Sequence, residues 1–128
     1  MKADLKALLA KITNTPIIVE HGTVDIWTYR KWSNGTAECW GTMSNSFSSW
    51  VSWGHIYETN TSVSRSYPAG LFIAAPVVSA RAWSVAGYAF TEANGGSKTA
   101  TPTCYALRAT TATTGRFYVE IHAIGKWK

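Results

Sequence analysis

Apolar and polar residues alternate along most of the chain from Pro16 onward, and the last such run is the most regular. In residues 116–124 the apolar side chains recur at every second position: Phe117, Val119, Ile121 and Ala123. Successive side chains of a β-strand point to opposite faces, so this pattern predicts a strand with one core-facing side. Similar runs, separated by Gly, Asn and Pro, recur through residues 16–128. They predict an all-β fold, an antiparallel β-sandwich or barrel of about eight strands.

Two pairs of runs are separated by short turn-forming segments. Ser33-Asn34-Gly35 lies between residues 24–32 and residues 36–44, and an Asn-Gly pair in this position is a strong hairpin signal. The second pair, residues 103–110 and 116–124, flanks a Thr-Thr-Gly sequence. We expect a β-hairpin at each of the two places.

The first residues follow a helical period. Leu5, Leu8 and Ile12 are spaced by three and then four positions, as in a coiled-coil seam, and predict a helix over residues 3–12. Such a short helix is not stable alone. It packs on its own domain, packs against copies from other chains, or is the end of a longer coiled coil. The pattern therefore predicts a short helical segment, residues 1–15, and a β-sandwich domain, residues 16–128.

Composition narrows the classes of partner. The chain has 128 residues, a net charge of +5 and only 15% charged residues. Its Lys and Arg residues are scattered, whereas a nucleic-acid groove needs them clustered with aromatic rings. No run approaches the ~20 apolar residues of a membrane-spanning helix, and the N-terminus lacks the apolar segment of a signal peptide. We expect no nucleic-acid binding and no membrane insertion, and we expect Cys39 and Cys104 to be reduced and buried.

No motif for catalysis, metal binding or a cofactor is recognisable. A Ser-His-Asp triad needs an acid to orient the histidine, and the aspartates are Asp4 and Asp25. His21, His55 and His122 are far apart in sequence and show no metal-ligand spacing. The five glutamates are scattered, as is usual for surface carboxylates. We therefore expect no catalytic residues, no metal and no cofactor.

The seven tryptophans are more than a small core of this size accommodates, so some indoles should face another subunit, a covering loop or a ligand. Residues 47–58 alternate well and predict one strand, with Trp53, His55 and Tyr57 on one face and Trp50 on the other. These side chains offer stacking area and hydrogen-bonding groups for a neutral sugar, and Asn60 adds a contact at the rim. The alternative is that the same face belongs to the core.

Three ordered segments resemble the C-terminal head domains of tail-fibre and minor structural proteins of tailed bacteriophages. These segments are residues 27–41 (WTYRKWSNGTAECWG), 67–72 (YPAGLF) and 123–128 (AIGKWK). The resemblance implies a β-rich head at the tip of a homotrimeric fibre, with a coiled-coil stalk on its N-terminal side. It places the protein in the virion, after synthesis in the cytoplasm of the bacterial host. It transfers no catalytic residue and no binding site.

Taken together, the sequence predicts a homotrimeric tail-fibre head that binds bacterial surface polysaccharide, and not an enzyme. The expected subunit interface contains the residues of the helical seam and two outward residues of the last strand: Leu5, Leu8, Ile12, Tyr118 and His122. One alternative is a purely structural trimerisation tip, with the indoles buried between chains. The less favoured alternative is a depolymerase of cell-surface polysaccharide.

Overall fold

The computed structural model describes residue 5 and residues 15–128. Residues 15–128 form nine β-strands connected by turns and loops, which confirms the predicted all-β class and adds one strand to the predicted number. The strands are β1 Ile18–Val24, β2 Trp27–Trp32, β3 Thr36–Phe47, β4 Trp50–Trp53, β5 Ile56–Thr59, β6 Val77–Ser84, β7 Gly87–Asn94, β8 Thr103–Arg108 and β9 Gly115–Lys126. The helix predicted over residues 3–12, including Leu8 and Ile12, lies outside the described residues except for Leu5, which is exposed.

The strands form one antiparallel sheet in the order β1-β2-β3-β9-β6-β7-β8-β5-β4. Strand β7 turns this sheet from one layer into the other. Its residues 87–89 pair with β6, and its residues 90–94 pair with β8. We call β1, β2, β3, β9 and β6 the front sheet and β8, β5 and β4 the back sheet. The strand order is open, with β1 and β4 at its ends, so the molecule is a sandwich made from one bent sheet and not a closed barrel.

The core lies between the front and back sheets. The predicted inward face of β9 is confirmed, because Phe117, Val119, Ile121 and Ala123 are all 0% exposed. The two layers meet where the Phe47 ring lies 4.9 Å from the Trp50 ring and where the Thr101 hydroxyl donates to the Met43 sulfur. The other buried apolar residues of the core are Trp27, Ala37, Cys39, Val63, Tyr67, Leu71, Phe72, Ala82, Cys104 and Ala106.

The first predicted hairpin is confirmed and the second is wrong. Strands β2 and β3 pair across Ser33-Asn34-Gly35, where Gly35 has a φ of 93° and its N–H donates to the Trp32 carbonyl. In contrast, β8 pairs with β7 and β5, whereas β9 lies between β3 and β6. The segment between β8 and β9 therefore crosses from the back sheet to the front sheet. Alternation identified both strands but carries no information about which neighbour each one takes.

Candidate functional site

The predicted strand over residues 47–58 is a hairpin. Strand β3 ends at Phe47, and β4 and β5 are joined by a turn at Gly54 and His55. Gly54 has a φ of 64°, a conformation that glycine adopts without strain and that suits the first position of a two-residue hairpin turn. The single-strand prediction is wrong because Gly54 reverses the chain in the middle of an otherwise regular alternation.

This turn separates the predicted glycan-binding residues. Opposite residues of a hairpin share a face, and here Trp53 is opposite Ile56 while Tyr57 is opposite Ser52. Trp53 and Tyr57 therefore point to opposite faces of the back sheet, and His55 lies in the turn. The expected row of Trp53, His55 and Tyr57 does not form.

Two other members of the predicted glycan site hold the fold together. The Trp50 indole N–H donates to the Ala112 carbonyl at 2.9 Å, and its ring packs against the core. The Asn60 side-chain oxygen accepts hydrogen bonds from the backbone N–H groups of Ser48 and Ser49 at 3.0 and 3.3 Å. Trp53, which is 53% exposed, and His55 remain accessible on the hairpin.

The tryptophans divide between core and surface. Trp27, Trp50 and Trp127 lie in the core or pack against it. Three others lie on the outer face of the front sheet: Trp32, Trp40 and Trp83. The seventh is Trp53 on the back sheet. The expectation that some indoles lie outside the core is therefore confirmed, and most of these outer indoles lie on the front sheet.

Strand register brings a set of polar and aromatic residues together on this outer face. His21, Arg30 and Glu38 are directly opposite one another on β1, β2 and β3. The next row contains Thr23, Thr28, Trp40 and His122, running from β1 to β9. We call the surface formed by these two rows the Trp40 face.

Glu38 is the buried charge of the Trp40 face. Its side chain is 8% exposed, and it accepts hydrogen bonds from the Arg30 guanidinium and from the His122 imidazole, the latter at 3.0 Å. Burial alone raises the pKa of a carboxyl group. Here the hydrogen bonds and the positive charge of Arg30 and His122 outweigh burial, so the pKa of Glu38 lies below its usual value.

Arg30 is held by aromatic rings as well as by Glu38. Its guanidinium carbon lies 5.0 Å from the centre of the Trp40 ring and 5.4 Å from that of Trp32, within the range of cation–π attraction. The Trp40 ring also meets the His122 ring edge-on, with 6.2 Å between their centres. These contacts fix the positions of a cation and an indole side by side on the surface.

Two of the five residues predicted at the subunit interface, Tyr118 and His122, lie on the same outer face. His122 belongs to the cluster around Glu38, and Tyr118 stacks on Trp83 with 5.5 Å between ring centres and 14° between planes. Between them Arg81 donates to Glu120 at 2.8 Å. The structure therefore confirms that Tyr118 and His122 point outward, and whether they contact another chain stays a prediction.

A cleft of about 380 Å³ opens on the Trp40 face. Its lining consists of the outward side chains of β1, β2 and β3 with a little backbone: Ile18, His21, Gly22, Thr23, Thr28, Tyr29, Arg30 and Trp40. An aromatic side chain bordered by hydroxyl, imidazole and guanidinium groups can stack on one face of a small molecule and hydrogen-bond to its rim.

The sequence analysis did not identify this cleft, although the part formed by β2 and β3 could have been inferred from their hairpin. The hairpin around Gly35 fixes the register of β2 and β3, and that register puts Thr28 opposite Trp40. The part formed by β1 could not be inferred, because the alternation in β1 is too weak to predict its pairing with β2.

The outer face of the back sheet is more apolar. Trp53 and Phe90 are exposed there, the latter by 74%, and they flank the carboxyl groups of Glu58 and Glu92. Burial, together with the hydrogen bond and negative charge of Glu92, raises the pKa of Glu58. A smaller cleft of about 210 Å³ lies beside it, on Phe90 and Leu107.

Other reactive groups lie apart from both faces. Cys39 and Cys104 are free and buried as predicted, and burial raises the pKa of their thiols to about 12 and about 11. Across residue 5 and residues 15–128, no cluster of three or more His, Cys, Asp or Glu residues could hold a metal ion. In the same described part, no helix is long and apolar enough to span a membrane.

Comparison with known proteins yields a likeness of fold. No family model matches the chain, and no curated protein matches it. Among solved structures it is similar to an N-truncated R1-type pyocin tail fibre, with a TM-score of 0.60 and 12% sequence identity, over 93% of this chain and 94% of that chain. The strand arrangement is thus one that occurs in a tail-fibre protein, which supports, at this coarse level, the resemblance drawn from the sequence.

Proposed function

We propose that this chain is the head domain of a virion tail fibre, assembles as a homotrimer and binds glycans of the bacterial cell surface. The fold supports a role related to tail fibres, because a pyocin tail fibre has a similar structure over nearly the whole chain. Sugar binding rests on a single observation, the cleft on the Trp40 face. It combines an indole with hydroxyl and nitrogen donors, the groups that stack on and hydrogen-bond to sugar rings.

Trimerisation complements a shallow site of this kind. One open cleft supplies few contacts, so a single site is expected to bind a sugar weakly. Three linked sites on one fibre raise the overall affinity without any new contact, provided that the glycan is repeated on the cell surface. The expected function is therefore adsorption to a polysaccharide-coated cell.

The test is binding of the purified chain to a glycan array and to a panel of bacterial strains. Replacing the cleft indole by Trp40→Ala is expected to lower binding at least about tenfold, because multivalency multiplies the loss at each site. Trp53→Ala is the matched control, since it removes an exposed indole from the other sheet. Both variants should keep the melting temperature within a few degrees of the parent protein.

The control also tests the site predicted from the sequence. Loss of binding in Trp53→Ala alone would move the site to the β4–β5 hairpin, while keeping the function. Absence of binding to any glycan or strain would contradict the proposed function. Release of reducing ends from a bound polysaccharide would point to a depolymerase.

A further inference from the structure

Arg30 has hydrogen-bonding capacity that the fold does not use. Its Nε donates to Glu38, but within residues 15–128 no acceptor is found for its two terminal nitrogens. A guanidinium group presents its donors in a planar fork that fits the two oxygens of a carboxylate or phosphate. The side chain is 39% exposed, so a ligand in the cleft can reach it.

In the cleft the Arg30 guanidinium is accessible, whereas the Glu38 carboxylate is buried. Glu38 is 8% exposed and is paired with Arg30, which is itself part of the cleft lining. His21 lines the same cleft, directly opposite Arg30 in the pairing of β1 and β2. None of the lining residues is Asp or Glu. A ligand therefore meets a surface of positive polarity beside an indole.

From this arrangement we propose that the cleft binds an anionic sugar residue, one that carries a carboxylate or a phosphate group. The terminal nitrogens of Arg30 donate to the anionic oxygens, Trp40 stacks on the C–H face of the sugar ring, and Thr23 and Thr28 bond to its hydroxyls. This assignment rests on the proposed glycan-binding function and specifies its ligand. It replaces the neutral sugar expected from the sequence.

The cation–π contacts explain how Arg30 can serve the ligand. The Trp40 and Trp32 rings, together with Glu38, hold the guanidinium in place before a ligand arrives. A long side chain that is already ordered loses little conformational entropy on binding. Ligand oxygens thus gain two charge-assisted hydrogen bonds at a low entropic cost.

The experiment compares matched sugars on one array: glucose with glucuronic acid, galactose with galacturonic acid, and N-acetylglucosamine with its 6-phosphate. We expect at least one acidic member to bind about tenfold or more tightly than its neutral partner, a difference that added NaCl reduces. In a second arm, the surface polysaccharide of a strain that binds the protein is carboxyl-reduced or dephosphorylated. The treatment that abolishes binding identifies the anionic group.

Variants of Arg30 connect the preference to the cleft. Arg30→Gln removes the charge and should abolish the difference between acidic and neutral sugars, while Arg30→Lys keeps the charge, loses the fork and should retain part of it. In Glu38→Gln the guanidinium remains, so the acidic preference should persist. If Arg30→Gln does not fold, a reduced preference in the lysine variant and its weakening by salt in the parent protein test the same contact.

The possible failures are distinguishable. Equal binding to acidic and neutral sugars, unaffected by carboxyl reduction and dephosphorylation, would overturn the anionic ligand and leave glycan binding intact. An acidic preference that persists in Arg30→Gln would overturn the assignment to Arg30. Failure to bind any sugar or cell would reject the proposed function itself.

Discussion

Glu38 shows how one buried charge organises a surface. A carboxylate that is 8% exposed loses most of its hydration, and here the Arg30 cation and the hydrogen bond from His122 compensate for that loss. Arg30 comes from β2 and His122 comes from β9, so the two hydrogen bonds of Glu38 connect three neighbouring strands. The same interactions orient the guanidinium of the candidate site. One carboxyl group therefore contributes to stability and helps to position the cation of the candidate site.

The lowered pKa of Glu38 predicts a pH dependence. The usual value is 4.5, and the folded value lies below it, so the unfolded chain binds the proton more readily. The stabilising contribution is complete above the unfolded pKa and is lost as the pH falls from there through the folded pKa. Urea unfolding from pH 7 to pH 3 should show a smaller acid loss of stability in Glu38→Gln than in the parent protein. Identical acid profiles would contradict this assignment.

In contrast to the Glu38 carboxylate, the hydroxyl of Tyr67 is buried without a compensating interaction. Within the described part of the chain its hydroxyl has no hydrogen-bond partner, and burial beside Cys39 and Cys104 raises its pKa to about 12. Its ring packs against Trp27 and Phe72, at 5.5 and 5.2 Å between centres. The ring therefore stabilises the core, whereas the hydroxyl does not.

Tyr67→Phe should consequently leave the free energy of unfolding unchanged or raise it by up to about 1 kcal/mol, since it removes an unsatisfied hydroxyl. Tyr67→Ala, the control for the ring, should cost about 3–5 kcal/mol. Both values are accessible from urea denaturation at neutral pH. A loss above about 1 kcal/mol in Tyr67→Phe would show that the hydroxyl has a partner in solution.

At the scale of single elements, two glycine turns set the register of the strands on either side. Gly35 and Gly54 have φ values of 93° and 64°. A side chain at Gly35 would also come within 3.1 Å of the Lys128 carbonyl oxygen, whereas the space beside Gly54 is open. Backbone strain acts at both positions, and a steric contact is added only at Gly35.

Gly35→Val should therefore lower the free energy of unfolding by roughly 1 kcal/mol or more, and by more than Gly54→Val does. Thermal or urea unfolding of the two variants, measured side by side, separates the strain they share from the contact that is present only at Gly35. Equal losses would mean that the close approach to Lys128 is unimportant, and no loss at Gly35 would contradict the hairpin geometry.

Strands and turns that follow from neighbouring residues could be predicted from the sequence, whereas the pairing of strands that are distant in sequence could not. The inward face of β9 and the β2–β3 hairpin follow from alternation and from the residues around Gly35. The partners of β9 are distant in sequence, and no local pattern specifies them. Gly54 lies inside residues 47–58, and the regular alternation of these residues favoured a single strand although the glycine forms a turn. The Trp40 cleft depends on β1 and on register across three strands, so the sequence pointed instead to Trp53.

At the scale of the whole molecule, the two outer faces differ in character. The front sheet carries half-buried indoles beside arginines, and the back sheet exposes Trp53 and Phe90 beside a pair of carboxyl groups. A ring of identical subunits needs two different, complementary patches on each chain, whereas a twofold dimer needs one patch that fits itself. The proposed trimer therefore needs two different patches on each chain, and glycan binding requires that both patches lie outside the cleft on the Trp40 face.

The proposed homotrimer predicts a light-scattering mass of about three times the chain's 14.0 kDa at micromolar concentration. Deleting residues 1–12 should weaken this assembly without unfolding the head, because the predicted helical seam adds contacts that the sandwich does not need. Circular dichroism of the shortened protein serves as the folding control. A mass near that of one chain for the intact protein would reject the trimer.

The central place of β9 also determines when the protein can fold. Strands β3 and β6 are both synthesised before β9, the strand that lies between them in the sheet. Until residues 115–126 have left the ribosome, both strands have unpaired edges and the apolar side of the front sheet is incomplete. We therefore expect a chain that is interrupted before residue 115 to remain unfolded and to be bound by chaperones or degraded by proteases.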